Sequence, residues 1–293
     1  MDVGIVLVNA LTLACIYGML AIGISITWSS LGLINLAYGS MFAFAGYGAW
    51  LAGQQLSAHP ALVLAAGILC GSLAGVVVCL LAFIPIHDKP NFTMRGMIAT
   101  VAIDVVGTQS LLWYFGPRAK ALPEIFGYWQ FEYGGIVLTA STLGAIASSI
   151  LLLGVVLVWM KSSRRGLEIR AMMMNPHAAS LVGIGVRRTG IWVMMLTGAM
   201  AGLAAVLLSQ TYYVSPFAGF TPLIKGLSIA LCGGLGSVTG AVIAAVILGF
   251  NEAITAATIG GQYVLITQFA LIIAIIVIRP RGIAGMLDRA REA

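Results

Sequence analysis

The sequence predicts an all-α protein, a polytopic transmembrane helical bundle of about eight spans, one of them a broken or re-entrant helix near 221–249. Three observations predict it. Only 8% of the 293 residues are charged and 60% are hydrophobic, with a mean hydropathy of +1.04. A soluble domain carries about 25% charged residues, so lipid must be the main solvent of this surface. Apolar runs recur along the chain at roughly the 20 residues needed to cross a hydrocarbon core. The cations gather in the short segments between those runs. Backbone groups in lipid must be satisfied internally, so the runs are helices.

The runs are 3–28, 30–52, 60–84, 96–115, 134–160, 189–212, 221–249 and 262–278. Lys161, Arg164, Arg165, Arg170, Arg187 and Arg188 crowd one loop; Arg279, Arg281, Arg289 and Arg291 crowd the tail; Lys89 and Arg95 flank a third loop. These three segments are expected in the cytoplasm. The 116–133 stretch balances Arg118 and Lys120 against Glu124 and Glu132, carries Trp129 and Tyr133, and fits the opposite face. If the N-terminus is outside, the first two runs each cross once, and that option needs the fewest special features.

With 188 and the tail inside, the 221–249 run must begin and end on one face. As a straight helix it would measure about 43 Å, too long for a core of about 30 Å. Gly233, Gly234 and Gly236 stand in its middle, and glycines so dense break a helix. The expectation is a pair of half-helices hinged at 233–236. The second run is expected to be interrupted at its polar patch, residues 35–40.

No polar linker divides the chain, so 1–293 reads as one membrane domain. The net charge of +6 arises from loop cations without a basic soluble helix face, which argues against nucleic acid. Cys15, Cys70, Cys79 and Cys232 lie in apolar runs without a C-x-x-C pair and read as small hydrophobes. The start lacks the basic region of a cleaved signal peptide. Gly67, Gly71 and Gly75 form a four-residue ladder, repeated by Gly198 and Gly202; such ladders let helix backbones approach, inside one subunit or across a dimer face.

Polar residues within spans are costly and therefore candidates for a transport path. Asn35, Tyr38, Ser40, Asp104, Gln109, Lys225 and Ser228 form that set, with Tyr47 beside them. Asp104 would line a path or accept a hydrogen bond from a neighbouring helix. The hairpin at 221–249 brings Lys225 and Glu252 to one face, where they can pair; a snorkelling lysine and an interfacial glutamate are the plainer account. Within the loop 161–188, a short helix over 165–174 should stop before Pro176. Asn175 can cap a second one that Gly183 ends. Two such helices would suit a groove on a soluble partner, whereas a merely anchoring basic loop needs neither cap.

These stretches resemble the permease subunits of branched-chain amino-acid ABC importers, a family that also includes urea and amide permeases. The resemblance lies in Arg165-Gly166, Arg170-Ala171, Asn175, Ala179, Leu181, Gly183 and Ile184, then 198–204, Lys225, 233–237 with Gly240, Leu248-Gly249, Glu252 and 279–283. It implies a multi-pass inner-membrane subunit with 161–188 as the coupling loop, in which Arg165, Gly166, Glu168, Arg170, Ala171, Asn175, Ala179 and Gly183 meet an ATPase. It also implies a second related permease chain, usually distinct so that the pore is a heterodimer, two cytoplasmic ABC ATPases and a periplasmic solute-binding protein. No G-x-x-x-x-G-K-[ST] motif occurs, so ATP and Mg belong to partner subunits and this chain is expected to bind no cofactor. One stretch departs. The family commonly shows His-Gly followed by an acidic residue on its second helix, where this chain has Tyr38-Gly39-Ser40. The solute expected is a branched-chain or other hydrophobic amino acid, with an aromatic or aliphatic carboxylic acid, or urea or an amide, as alternatives.

Two rivals belong to other classes. An intramembrane enzyme needs a nucleophile with its base, or a metal cluster; no H-E-x-x-H or G-x-S-x-G motif is present and the three histidines lie in loops. A secondary transporter or channel working alone would also use broken helices, and would purify without ATPases.

Overall fold

The computed structural model describes residues 3–55, 59–127, 129–133, 136–280 and 282–284. Arg281, Arg289 and Arg291, together with the side chains of Glu132 and Tyr133, lie outside the described residues. The elements run α1 Val3–Leu31, α2 Tyr38–Gln55, α3 Pro60–Val78, α4 Ile84–Ile86, α5 Phe92–Phe115, β1 Gln130–Tyr133, β2 Ile136–Thr139, α6 Ala140–Ser162, α7 Arg164–Met174, α8 Pro176–Leu181, α9 Val186–Ser209, α10 Phe220–Gly233, α11 Val238–Thr258 and α12 Val264–Ile278. Seven helical stretches among the described residues are long and apolar enough to cross a membrane. Helices α2 and α10 complete the bundle.

The third span is continuous from Pro60 to Ile86 but widens into a π-turn at Cys79–Phe83 before Pro85. Proline has no N–H and its ring crowds the carbonyl four residues back; the wider turn just ahead of it makes room.

Helices α1 and α9 form the centre, and α9 is buried over most of its length. The two glycine ladders meet each other inside this one chain. A Cβ on Gly71 would overlap the Gly198 carbonyl and come within 2.9 Å of Gly202 Cα, and a Cβ on Gly67 would lie 3.2 Å from the Gly202 carbonyl. Small residues on both helices thus allow α3 and α9 backbone contact. The four cysteines are free thiols.

The basic loops share one end of the bundle. There Arg187 pairs with Asp88, Thr93 bonds the Gly32 carbonyl, and Ile283 and Ala284 bond the end of α10. The opposite end gathers the start of α1, the 116–127 loop and the 210–219 loop, where Lys120 and Val214 form an antiparallel bridge. The start of α1 stands at this second end, opposite the basic loops that the distribution of cations predicts to be cytoplasmic.

Three spans differ from the sequence reading. The second does not begin at 30. Residues 32–37 climb beside α5 without helical structure, and α2 starts at Tyr38. Asp104, which touches that start, lies about 18 Å along α5 from Phe92, so α2 begins at membrane depth. The fifth run is expected to be helical from 134; 134 and 135 lie outside the described residues, and Ile136–Thr139 is a strand. The stretch Ile136–Thr139, β-branched but for Leu138, pairs antiparallel with Gln130–Tyr133, and helix begins at Ala140. The seventh breaks at 233–237 as expected, but its second arm is no half-helix. Helix α11 continues through Asn251 and Glu252 to Thr258, about 31 Å, because both polar residues find partners inside the bundle. Helix α10, about 21 Å long, is the short arm.

Candidate functional site

Four places collect the polar residues of interest. The first is a foot at the basic end. Ser163 caps α7, its hydroxyl accepting from Gly166 N at 2.9 Å, and Asn175 caps α8, its side chain accepting from His177 N and Ala178 N at 3.0 Å each. Such caps satisfy amides that a helix start leaves open. Gly183, at φ +87°, ends the unit in a conformation glycine accepts readily. Gly166, Ile169 and Met172 face the bundle, and a Cβ on Gly166 would overlap the Met160 backbone. Arg165 pairs with Glu168 at 3.0 Å, and Glu168 also accepts from Thr189 on α9. Ala179 is the buried residue of α8 and Ala171 is half-buried. The outward face carries Leu167, Arg170, Met174, Leu181 and Val182, all exposed. This outward face is therefore largely apolar and carries a cation, Arg170.

The second is the start of α2. Asp104 Oδ1 accepts from Ser40 N at 2.6 Å, Thr100 Oγ1 accepts from Leu36 N at 3.2 Å, and Asn35 Oδ1 accepts from Ala37 N at 3.0 Å. These bonds satisfy a backbone that leaves helical structure inside the membrane, where such groups otherwise cost several kcal/mol each, roughly. Ser40 brings no carboxylate of its own, and α5 supplies one, Asp104, to its backbone. Tyr38 turns inward and donates to the Thr197 carbonyl at 2.9 Å. Asn35 faces the sulfurs of Met41 and Met194. Gln109 is not part of this cluster; it lines an open apolar groove on the outer face of α2 and α5 with Phe44 and Trp113. The first turns of α2 and α10 touch, Gly39 backbone against Gly219 backbone.

The third is an ionic cluster that neither the snorkelling-lysine nor the interfacial-glutamate account describes. Lys225 Nζ lies 2.7 Å from both carboxylate oxygens of Glu252 and 2.9 Å from the Tyr17 hydroxyl, which donates to Glu252 at 3.1 Å. The two charged side chains are 8% and 7% exposed. Ser228, one turn further along α10, is buried. Sequence reading missed Tyr17, because a tyrosine in a long apolar helix carries no signal of its partner. It also missed Tyr212, which stands above the cluster; burial, and then the Glu252 charge, push its phenol up.

The fourth is the break between α10 and α11. Gly234 and Gly236 take φ of 96° and 93°, available to glycine at little cost. Ser237 Oγ accepts from Gly240 N and caps α11. Ile283 N and Ala284 N bond the carbonyls of Cys232 and Gly233 at 2.8 and 3.1 Å, and Arg279 holds the Ile283 carbonyl at 2.8 Å. The described end of the chain therefore satisfies carbonyls that the end of α10 leaves open.

A helical bundle with two broken elements at its centre and a capped two-helix foot at its basic end describes a multi-pass membrane protein, and its similarity to known permeases places it in the ABC-permease class. A family model described as the branched-chain amino acid transport system / permease component matches residues 6–276. The chain belongs to this family. It is 28% identical to the high-affinity branched-chain amino acid transport system permease protein LivH of Escherichia coli (strain K12), over 94% of each chain. It is 27% identical to the corresponding permease protein BraD of Pseudomonas aeruginosa, over 95% of this chain and 94% of that one. Among solved structures, PsaBC from Streptococcus pneumoniae in complex with Fab superposes with a TM-score of 0.55 at 13% identity, covering 94% of this chain and 92% of that one; this likeness concerns the fold.

Proposed function

We propose that this chain is one membrane-spanning subunit of an ATP-driven importer, moving a branched-chain or other hydrophobic amino acid into the cytoplasm by alternating access. The whole chain, 1–293, acts as one permease domain in the inner membrane. It catalyses no reaction and binds no cofactor of its own. A second related permease completes the pore, two cytoplasmic ATPases with ATP and Mg drive it, and a periplasmic binding protein delivers the solute.

The observation that carries this reading is the foot. Helix α7 is rooted in the bundle by Gly166, Ile169 and Met172 and α8 by Ala179, and together they present Leu167, Arg170, Met174, Leu181 and Val182 outward. A rooted, capped element transmits force from an ATPase groove into the spans, as a floppy basic loop would not. The broken helices at 32–37 and 233–237 supply places where the bundle can change shape. A carboxylic acid lacking an amine, or urea or an amide, is the alternative cargo, favoured by Tyr38 and Ser40 in place of the residues usual there.

The test is reconstitution with the ATPases that co-purify. Arg170→Glu reverses charge on the outward face, and Gly166→Pro removes the amide that Ser163 holds. Both variants should hydrolyse ATP while losing uptake. Normal uptake by both would remove the coupling role, and purification of an active carrier without any ATPase would point to a transporter working alone.

A further inference from the structure

The buried ion pair at membrane depth has no evident structural need. Replacing such a pair by apolar packing is often neutral or stabilising, and ionisable groups within spans usually mark a pathway. Here every donor is used: Lys225 directs its three N–H groups to the two Glu252 oxygens and the Tyr17 hydroxyl, and Tyr17 donates onward to Glu252.

The cluster stands between two cavities. One, of about 420 Å³, reaches Glu252; the other, of about 280 Å³, reaches Lys225 and Tyr17. Leu208 and Tyr212 line both. Each extends toward the end of the bundle away from the foot, past Asn9 and Ser141 in one case and Tyr213 and Ser215 in the other. A solute entering from that side meets a cation from one cavity and an anion from the other.

We infer that Tyr17, Lys225 and Glu252 form a subsite for a zwitterion, Lys225 taking the carboxylate of an amino acid and Glu252 its ammonium. This rests on the importer reading and names the solute class that the chain itself selects. Lys225 and Glu252 compensate each other in the cluster. Inserting a zwitterion exchanges one ion pair for two and leaves no buried charge uncompensated. A carboxylate without an amine strands Glu252, and an amine or amide strands Lys225; uncompensated buried charge is strongly unfavourable. The apolar walls, with Phe42 and Pro222 beside Lys225, accept an aliphatic side chain.

The experiment uses the full chain with its co-purifying subunits in detergent, without binding protein. Thermal unfolding is followed against leucine, leucinamide and 4-methylpentanoate. Leucine should raise the midpoint at concentrations at least about tenfold below the other two. In Glu252→Gln, 4-methylpentanoate should become as effective as leucine, and in Lys225→Met with Glu252→Gln the leucine effect should vanish. A purely structural pair would lower the midpoint of Glu252→Gln without changing the ranking. Equal shifts by all three solutes, no shift by leucine, or an unchanged ranking in Glu252→Gln each overturn the subsite. Uptake of leucine by vesicles carrying the complete system, in the face of any of those results, leaves the importer reading standing; absence of any amino-acid uptake removes that reading instead.

Discussion

Replacing Gly71 by alanine is the sharpest probe of how this bundle is held together. The new Cβ would overlap the Gly198 carbonyl and meet Gly202 Cα at 2.9 Å and Gly202 N at 3.0 Å. All three are backbone atoms of α9, so no side-chain rotation relieves the clash and α3 and α9 must separate. Overpacking of this kind costs about 1–3 kcal/mol, and rigid neighbours place it at the upper end. Alanine gains up to about 1 kcal/mol in helix propensity over glycine, which leaves a net loss of about 2 kcal/mol. Gly154 on α6 is the control, since nothing lies within 4 Å of its added Cβ; Gly154→Ala should gain up to about 1 kcal/mol. The same chemical change therefore separates the two variants by about 3 kcal/mol. Unfolding of the purified protein in mixed micelles with increasing SDS measures this. Gly198→Ala meets Gly71 in turn, so the double variant should cost less than the sum of the singles, by about 0.5–3 kcal/mol of coupling. Equal stabilities for Gly71→Ala and Gly154→Ala, or strict additivity of the pair, would refute ladder-to-ladder contact.

Other outcomes follow from the polar clusters. Lys225→Met leaves the Glu252 carboxylate buried with the Tyr17 hydroxyl, a loss of about 3–5 kcal/mol; adding Glu252→Gln should recover most of it in the same unfolding assay. Asp104→Ala removes the acceptor at the start of α2 and should cost about 0.5–2 kcal/mol, with faster hydrogen exchange at Ser40 than at Thr100. Arg279→Ala releases the Ile283 carbonyl and should speed exchange of the Ile283 and Ala284 amides by about fivefold, corresponding to about 1 kcal/mol. Unchanged exchange there would mean the described end of the chain is held by other contacts.

Much of this architecture is legible in local chemistry, and what is not depends on partners distant in sequence. The foot could be read because its signals lie within 20 residues: Asn175 before Pro176, and Gly183 after Leu181. The break at 233–236 could be read because glycine density and the cation distribution require it together. The length of α11 could not. Asn251 and Glu252 look like a membrane boundary until Thr267 and Lys225 are seen opposite them. The late start of α2 was hinted at by the polar patch, but its depth depends on Thr100 and Asp104, more than 60 residues away. The strand at Ile136–Thr139 is as apolar as the helix that follows it, and hydropathy does not distinguish the two. Gln109 shares a helix with Asp104 yet faces outward, because a five-residue separation takes it to another side of the helix.

The strap of Ile283 and Ala284 across Cys232 and Gly233 ties α10 to the far end of α12, although α11 lies between them in sequence. The glycine joint cannot swing α10 freely while those two bonds hold. A piston stroke of the short helix must therefore carry the last span with it, so that two helices apart in the chain move as a single lever.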